Sequence, residues 1–567
     1  MNKKNLLRGF WILFKDYWSS EEKFKARGLL AIVIILNFAS VWFLVRINDW
    51  QNEFWNSIQA YQSELFWPLI GQFTALAFAW ICISVYAFYL RQLLEIRWRK
   101  WMTENYLNAW MNGQTYYKLQ DGTDNPDQRI SEDIAQFVSV TLQLIIGFLK
   151  EMVTLAAFSI VLWNLSGVFT FELGGTEFKI YGYMFWCSLI YSVVGTWLAH
   201  KVGRKLIGLQ FEQQKYEADF RFSMMRVREN AESIAFYSGE DAEMEIFHGR
   251  FKNVITNFRQ LMNKIKQLGF YQSGYGQLAI IFPVMMAAPK YFANEIQIGG
   301  LMQTMNAFAH VQGALSFFVD SYTTIAGLAA VVSRLSGFTD HIEEVKNIKS
   351  NVEKDYADNL KISNLNISLP TGKKLLENLS IDLENSKSLL VTGLSGCGKS
   401  TLLRTVAGIW NYASGKISLP KNSKVMFLPQ KPYLPLGTLK RALIYPLPEK
   451  ESPTDEKLIE VLKLVELPQL VEKLNDTEDW SRILSGGEQQ RLAFARVLLS
   501  SPNYAFLDEA TSALDEPREL EMYQLLKKIL PNLTIISVGH RSTLFDVHDE
   551  ELNLQPNGVW SSRAIEK

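Results

Sequence analysis

Residues 393–400 read Gly393-Leu394-Ser395-Gly396-Cys397-Gly398-Lys399-Ser400, and this motif is the basis for predicting the fold of the second half of the chain. It fits the Walker A pattern of a phosphate-binding loop. The apolar residues 388–391 before it predict a strand, and residues 401–409 after it predict a helix. Backbone N–H groups of such a Gly-rich turn bind phosphate oxygens together with the helix N-terminus. In this arrangement Lys399 would reach the β- and γ-phosphates of a nucleotide, and the Ser400 hydroxyl would bind Mg²⁺.

Length and composition indicate at least two domains, one of them strongly apolar. The 567 residues exceed the size of one ordinary domain. Hydrophobic residues make up 48% of the chain and aromatic residues 13%, and most of the Trp, Phe and Tyr lie before residue 340. The formal net charge of +0 removes the electrostatic attraction on which nucleic-acid binding depends. We therefore expect no nucleic acid partner.

The cysteines and the N-terminus carry little chemistry of their own. Cys82, Cys187 and Cys397 are scattered without metal-ligand spacing, and Cys397 lies in a loop that must face a reducing, ATP-containing compartment. No disulfide is expected. The first residues lack the apolar core and cleavage site of a signal peptide, so we expect none to be removed.

Uncharged or weakly charged apolar runs predict six membrane-spanning helices. Each is long enough to cross about 30 Å of hydrocarbon as a helix. Residues 1–28 before them are predicted to form a cytoplasmic, interfacial segment, with an aromatic amphipathic helix at 9–18. The last run contains His310, Gln312 and Asp320, which indicates a helix that faces other helices or a water-filled path. The predicted spans are 29–45, 67–90, 137–163, 180–199, 270–288 and 301–332.

The distribution of Lys and Arg predicts the orientation of these spans. The segment before the first span and the connections 91–136 and 200–268 are rich in basic residues, whereas 47–66 and 293–298 contain none. The positive-inside rule then places both termini and the two long connections in the cytoplasm. The long connections contain few helix breakers, so we expect the spanning helices to extend beyond the membrane.

The domain organisation follows from these patterns. We predict an α-helical, six-span transmembrane domain at 29–340, a charged linker at 341–358 and an α/β nucleotide-binding domain at 359–567. Alternating apolar residues predict strands at 360–369 and 376–383, ahead of the phosphate-binding loop.

A second acidic motif suits ATP hydrolysis. The apolar run Tyr504-Ala505-Phe506-Leu507 predicts a buried strand that ends in Asp508 and Glu509. Asp508 at this position would organise Mg²⁺, and Glu509, just past the strand end, would polarise the attacking water as general base.

Between the two motifs lies Leu484-Ser485-Gly486-Gly487-Glu488-Gln489-Gln490-Arg491, which opens a helix. Here the sequence resembles the ATPases of ABC transporters, whose signature is LSGGQ, with Glu488 in place of the usual Gln. The resemblance implies that Ser485, Gly486 and Gly487 bind the γ-phosphate of ATP held by a second subunit. A helix N-terminus directed at an anion is again the physical reason.

Further motifs match this family in order along the chain. Gln430 matches the Q-loop, residues 512–515 match the D-loop, and His540 matches the switch histidine. The resemblance implies catalytic roles for Glu509, His540 and Gln430, and Mg²⁺ binding by Ser400, Gln430 and Asp508. It implies that ATP is bound by the following residues: Gly393, Leu394, Ser395, Gly396, Cys397, Gly398, Lys399, Ser400, Thr401, Gln430, Ser485, Gly486, Gly487, Glu488 and Asp508.

One element departs from the family pattern. The aromatic residue that stacks on adenine normally precedes the phosphate-binding loop, but residues 367–371 contain no Tyr, Phe or Trp. Leu369 is the nearest counterpart. Loss of stacking would weaken adenine recognition by about 1 kcal/mol.

The resemblance extends through the membrane part of the chain. There the sequence is similar to one branch of the family. That branch contains the peroxisomal acyl-CoA half-transporters and the YddA-like and SbmA/BacA-like bacterial proteins. The stretches that carry the likeness are 47–56, 125–133, 174–178, 232–237, 429–433 and 444–446. For 125–133 alone, a capped helix start with solvated charges is the alternative interpretation.

The resemblance implies an exporter-like fold and a homodimer, because one chain supplies one ATPase domain and this class requires two. It implies a transporter in the bacterial inner membrane that uses ATP and Mg²⁺ to move a peptide, corrinoid or acyl thioester. Polar residues of the last span, Gln303, Asn306, His310, Gln312 and Asp320, would suit a polar or amphipathic solute. The alternatives are a membrane-anchored regulatory ATPase, and a soluble chromosome-associated ATPase that the six apolar spans contradict.

Overall fold

The computed structural model describes residues 3–119, 125–173, 176–347 and 351–566. The chain divides into two compact units. The first comprises Met1–Asn112 and Gly122–Ile342, and the second comprises Gly113–Asp121 and Glu343–Lys567.

In the described residues up to 347, the regular elements are helices and one hairpin. Strands β1 (Val168–Leu173) and β2 (Thr176–Tyr181) pair antiparallel in the connection at 164–179, where no strands were predicted. Gly174 and Gly175 between them lie outside the described residues. The helices are α1 (Lys3–Trp18), α2 (Lys23–Gln59), α3 (Ser63–Met111), α4 (Thr115–Lys118), α5 (Pro126–Gln128), α6 (Ile134–Ser166), α7 (Tyr183–Glu229), α8 (Ala231–Tyr237), α9 (Glu240–Phe292), α10 (Ile298–Asp320) and α11 (Tyr322–Asn347).

Long helices lie at all six predicted spans, in α2, α3, α6, α7, α9 and the pair α10–α11. Three helical segments of the described chain are by themselves long and apolar enough to cross a membrane: Lys23–Gln59, Ser63–Lys118 and Pro126–Ser166. The fourth span begins later than predicted, at Tyr183, because β2 continues to Tyr181. The sixth is divided at Ser321, and its second part continues to Asn347.

The N-terminal helix α1 packs against the helical unit through aromatic rings. Tyr17 stacks on Trp98 of α3 at 5.4 Å between ring centroids, and Trp98 meets Phe137 of α6 edge-on at 5.7 Å. All three side chains are fully buried. Arg27 donates a hydrogen bond to the Trp18 carbonyl at 2.8 Å, which ties α2 to the end of α1. The predicted helix at 9–18 is therefore a packed element of this unit.

Three amide side chains and one carboxylate join α2 to α10, and we call Asn48, Asp49, Asn52 and Gln303 the interhelical polar cluster. Gln303 donates to Asp49 Oδ1 at 3.1 Å, and it accepts from Asn52 Nδ2 at 2.6 Å. Asn48 donates to the Gln303 carbonyl at 3.2 Å. The helices approach so closely that a Cβ atom on Gly299 would lie 2.1 Å from the Asn52 carbonyl oxygen. Buried amides that bond each other in this way fix the alignment of two helices.

Other polar residues of α10 also contact neighbouring helices. Asn306 donates to Gln51 of α2, and His310 stacks on Phe158 of α6 at 4.1 Å. Gln312 hydrogen-bonds Tyr275 of α9. The side chain of Asp320 lies outside the described residues. The described polar face of α10 thus meets other helices, one of the two arrangements that its composition predicted.

The described residues of the second unit form two larger sheets and the short antiparallel pair β9-β10, and the first strand of this unit lies in the predicted linker. Residues 351–356 form β3, which pairs parallel with β7 and buries Val352. The strands are β3 (Asn351–Tyr356), β4 (Leu360–Ser368), β5 (Lys374–Leu383), β6 (Ser388–Gly393), β7 (Ala413–Leu419), β8 (Val425–Leu428), β9 (Gly437–Thr438), β10 (Thr477–Glu478), β11 (Tyr504–Asp508), β12 (Thr534–Val538), β13 (Glu550–Leu554) and β14 (Trp560–Ala564). The helices are α12 (Lys399–Ala407), α13 (Leu439–Ile444), α14 (Asp455–Leu464), α15 (Trp480–Ile483), α16 (Gly486–Ser500) and α17 (Glu516–Ile529).

The six-stranded sheet has the order β14-β13-β6-β12-β11-β8, and its five strands from β13 to β8 are parallel. The antiparallel-rich sheet has the order β3-β7-β4-β5. Leu402, Leu403 and Val406 of α12 belong to an apolar core that includes buried residues of both sheets. The carboxyl ends of β6, β8, β11 and β12 meet at one edge, where ligands of parallel sheets bind.

Candidate nucleotide-binding site

The phosphate-binding loop follows β6 and is shaped by its glycines. Gly393 adopts φ +133°, and a Cβ atom there would lie 2.1 Å from the Leu554 carbonyl oxygen of β13. Gly398 adopts φ +104° directly before α12 begins at Lys399. Lys399 is buried, and its Nζ donates to the Gly393 carbonyl at 2.8 Å. The loop therefore closes around its lysine and leaves backbone N–H groups to bind phosphate.

The predicted loop residues differ in exposure. Leu394, Ser395 and Gly396 are exposed, whereas Cys397 is buried among apolar residues. Thr401 is half-buried in the first turn of α12. Exposed backbone on the outer side of the loop fits a nucleotide phosphate chain, because phosphate binding uses N–H groups more than side chains.

Ser400 and Asp508 form a pair of oxygen ligands suited to Mg²⁺. Ser400 Oγ donates to Asp508 Oδ1 at 2.9 Å. Burial raises the pKa of Asp508; the Ser400 hydrogen bond opposes this rise, and the nearby Glu509 charge adds to it. A hard cation there would favour the ionised carboxylate. In the described residues no group of three or more His, Cys, Asp or Glu could hold a metal ion. The residues present fit Mg²⁺ bound jointly with nucleotide phosphates, as this ion prefers.

Glu509 follows β11 and lies between residues that follow the two strands on either side of it, β8 and β12. Gln430, after β8, donates to Glu509 Oε2 at 2.8 Å, and His540 Nε2, after β12, lies 3.5 Å from Oε1. The Glu509 backbone takes the left-handed conformation with φ 48°, and its N–H donates to the Val538 carbonyl at 3.2 Å. For a non-glycine residue this conformation costs about 1 kcal/mol or more of strain energy, and such strained residues are common at functional sites. The three predicted catalytic residues are thus brought together.

The signature segment forms a capping box at the start of α16. Ser485 is the N-cap, and its Oγ accepts from the Glu488 N–H at 3.4 Å. The Glu488 carboxylate accepts from the Ser485 N–H at 2.9 Å and from its hydroxyl at 2.8 Å. Gln469 adds a third donor at 3.0 Å. The acid that replaces the usual Gln therefore accepts from the Ser485 N–H and closes the capping box at this helix N-terminus.

This contact predicts a pH-dependent stability difference. Although partial burial acts to raise it, the pKa of Glu488 is lowered from 4.5 by the Ser485 and Gln469 hydrogen bonds. A lowered pKa contributes stability above pH 4.5 that is lost as the pH falls through the folded-state value. Glu488→Gln should lower the free energy of unfolding at pH 7 by about 0.5 kcal/mol. We expect a melting temperature about 1–2 °C lower.

The measurement is thermal unfolding of both proteins between pH 7 and pH 4. The difference should shrink toward the acidic end. Glu472→Gln, at an exposed position, serves as control and should match the wild type throughout. A Glu488→Gln difference that stays constant with pH contradicts a contribution from the ionised carboxylate.

Within one chain, the signature and the phosphate-binding loop are not joined. In the part of the chain that the structure describes, the Ser485 hydroxyl forms its hydrogen bonds with Glu488. Those of Lys399 go to the Gly393 and Leu394 carbonyls. The structure brings Lys399, Ser400, Gln430, Asp508, Glu509 and His540 to one edge and leaves the signature to its own helix.

The stretch expected to contact adenine is flanked by aromatic residues from elsewhere. Trp410 Nε1 donates to the Ser368 carbonyl at 3.0 Å, and the Ser368 N–H donates to the Tyr412 carbonyl at 2.8 Å. Leu369 packs partly buried against the core of this unit. Since Trp410 and Tyr412 follow α12, a search restricted to residues before the loop could not find them.

The motif at 125–133 contains a buried ion pair. Asp133 is almost completely buried, and its Oδ2 accepts from Arg129 at 3.0 Å and from Arg334 Nε at 2.8 Å. Asn125 makes no side-chain cap. The alternative interpretation, a capped helix start with solvated charges, is therefore wrong for Asp133. Arg334 lies far away in sequence, which is why the motif alone could not reveal the pair.

Comparison with known proteins assigns the family. The family "ABC transporter transmembrane region 2" matches residues 13–292, and the family "ABC transporter" matches residues 376–512. The chain is 35% identical over 551 residues to the inner membrane ABC transporter ATP-binding protein YddA of Escherichia coli, covering 96% of this chain and 97% of that protein. This chain belongs to the ABC transporter family.

Other relatives lie in the same branch. The half-transporter is 34% identical to ABC transporter D family member 2, chloroplastic, of Arabidopsis thaliana, covering 97% of this chain and 86% of that protein. It is 31% identical to the lysosomal cobalamin transporter ABCD4 of Homo sapiens, covering 83% of this chain and 82% of that protein.

A solved structure shares the fold. The half-transporter matches a bacterial Atm1-family ABC exporter with ATP bound, with a TM-score of 0.73, 14% identity and coverage of 95% of this chain and 94% of that one. A helical transmembrane domain fused to an ABC ATPase domain, with an exporter-like fold, is thereby confirmed. The chain is an ATPase of the kind that is coupled to transport.

Proposed function

We propose that two copies of this half-transporter form a homodimer in the bacterial inner membrane that drives a polar or amphipathic solute across the bilayer with ATP and Mg²⁺. The observation that carries the proposal is the placement of the ATPase groups. Glu509 contacts Gln430 and lies beside His540, while Ser485 is bonded within its own helix. One chain therefore supplies one half of each of two ATP sites. Both termini lie in the cytoplasm, where ATP is available.

In this proposal each side chain has one task. Lys399 and the loop N–H groups bind the phosphates, and Ser400 and Asp508 hold Mg²⁺, which neutralises phosphate charge during transfer. Glu509 accepts the proton of the attacking water, and Gln430 and His540 orient the Glu509 carboxylate. Ser485 of the second copy completes the site. Closure of the dimer does work on the membrane domains only if ATP binds the closed state more tightly than the open one.

Complementation between two inactive variants tests the homodimer. Lys399→Ala removes the phosphate-binding lysine and Ser485→Arg blocks the signature, so neither variant alone forms an intact site. A mixed dimer contains one site in which both defects coincide and one intact site. Mixing equal amounts before reconstitution should restore at most about a quarter of wild-type hydrolysis, because half of the dimers are mixed, one of their two sites is intact, and coupling between the sites can only slow that one. No recovery, or activity in either variant alone, would contradict a shared site.

The solute class requires a transport assay. The relative ABCD4 is named a cobalamin transporter, and the branch implies peptides and acyl thioesters as well. Sealed vesicles should be tested with cobalamin, an acyl-CoA and a proline-rich peptide, each with ATP and with the Glu509→Gln variant as control. ATP-dependent movement of one class assigns the solute. Hydrolysis that no compound stimulates, with no movement, favours a regulatory role for the ATPase.

A further inference from the structure

The buried side chain of Gln490 connects two segments that flank the catalytic carboxylate. It lies in the first half of α16 and is 3% exposed. Its Nε2 donates to the Gln430 carbonyl at 3.1 Å and to Ser512 Oγ at 3.1 Å. Its Oε1 accepts from the Ala513 N–H at 2.8 Å. Nearly all of the hydrogen-bonding capacity of this amide is thus used between the Q-loop and the D-loop.

Both of these segments contact Glu509 directly. The Gln430 side chain donates to the Glu509 carboxylate at 2.8 Å, while its backbone carbonyl is held by Gln490. The Ser512 N–H donates to the Glu509 carbonyl at 3.1 Å, while its hydroxyl is held by Gln490. A displacement of Gln490 would therefore move the carboxylate through its side-chain partner and through its backbone.

A second set of bonds closes the network on the side of the switch histidine. Arg541 donates to the Leu514 carbonyl at 2.6 Å and to the Ser512 carbonyl at 3.3 Å. It also lies 3.7 Å from the buried carboxylate of Glu519. The D-loop is therefore held from α16 by Gln490 and from the residue after His540 by Arg541. Gln490 itself is buried and is hydrogen-bonded to segments on both sides of Glu509, so a displacement of α16 passes through it to both of them.

We propose that Gln490 is a positioning residue that connects the signature helix to Glu509 and thereby couples the two ATP sites of the dimer. The proposal rests on the function proposed above, in which the signature of one copy engages ATP on the other. Engagement acts on Ser485 at the N-terminus of α16, and Gln490 lies on the same helix only five residues further on. Gln490 transmits the displacement to the Gln430 and Ser512 contacts of its own copy. Occupation of one site then sets the geometry of Glu509 in the other.

The test uses Gln490→Glu and Gln490→Met in the full-length protein in lipid nanodiscs. The carboxylate keeps the length and an acceptor for the Ala513 N–H but has no N–H to donate to Gln430. Methionine keeps the volume and makes none of these bonds. The rate of hydrolysis is measured over a range of ATP concentrations. We expect kcat to fall about tenfold, because a misplaced catalytic group costs this much or more. KM should stay within about twofold, because Lys399 and Ser400 are not contacted.

The Hill coefficient is the readout that a merely structural role would not change. We expect it to exceed 1 in the wild type and to fall to about 1 in both Gln490 variants. Gln489→Glu is the matched control: Gln489 is 7% exposed on the same helix, and its Nε2 donates to the Ser481 and Leu484 carbonyls. This control should lower the melting temperature about as much as the Gln490 variants do, while its Hill coefficient stays at the wild-type value.

Several outcomes would overturn the proposal. They are a wild-type Hill coefficient of about 1, unchanged cooperativity in both Gln490 variants, or equal loss of cooperativity in the Gln489 control. Loss of folding in Gln490→Glu leaves Gln490→Met to decide. Failure of the underlying function is recognised separately. It would show as no ATP hydrolysis by the wild type, or as no complementation between Lys399→Ala and Ser485→Arg.

Discussion

Glu509→Gln is expected to reduce ATP hydrolysis by about 10²-fold or more while the protein still binds ATP. The amide keeps the size of the side chain but cannot accept the proton of the attacking water, and general-base catalysis contributes about this much. Lys399, Ser400 and Asp508 are unchanged, so the phosphates and Mg²⁺ should still be bound. The two measurements are phosphate release in nanodiscs and retention of labelled ATP. Retention should increase, because bound ATP leaves more slowly when it is not hydrolysed.

Glu521→Gln is a suitable control for this experiment. Glu521 is an exposed carboxylate on α17 of the same unit, so its neutralisation should leave hydrolysis within about twofold of the wild type. If Glu509→Gln hydrolyses ATP at a rate close to that of this control, the role of general base must be given to another group.

Asp133→Asn is expected to destabilise the helical unit by about 3 kcal/mol or more. Its carboxylate is almost fully buried and forms ion pairs with both Arg129 and Arg334, so the neutral amide removes the negative charge that lies between two positive ones. Thermal unfolding in detergent, followed by tryptophan fluorescence, measures the effect. Asp127→Asn belongs to the same motif, is exposed, and should change the melting temperature little.

A double variant identifies the cause of this loss. If uncompensated charge is responsible, Arg334→Gln combined with Asp133→Asn should recover part of the stability lost by Asp133→Asn alone. Additive losses in the double variant would show instead that packing, rather than charge, accounts for the effect.

Local patterns were sufficient for much of the ATPase unit. The strand before Gly393, the helix after it and the strand that ends at Asp508 are all present as predicted. The linker differs: residues 351–356 form an edge strand, although their charged composition indicated no ordered element. Edge strands tolerate charge on their exposed faces, so composition alone could not distinguish an edge strand from an unstructured linker.

The membrane part shows where local patterns are insufficient. Apolar runs located the helices of all six predicted spans, although in the described residues only three of these helical segments are by themselves long and apolar enough to cross a membrane. The polar residues of the last span had two readings, and contacts decided between them: Gln303 bonds Asn52, and His310 stacks on Phe158. Which helix a polar residue faces depends on packing between segments that are distant in sequence.

Residue types at short spacing were enough to identify the phosphate-binding loop, the acidic pair Asp508 and Glu509, and the family. The contacts of Gln490 between the Q-loop and the D-loop, and the ion pair of Arg334 with Asp133, became known from the folded chain alone. Those partners are separated in sequence by segments whose course no local pattern specifies. Burial then makes each such contact obligatory, because a polar group removed from water must find a partner within the fold.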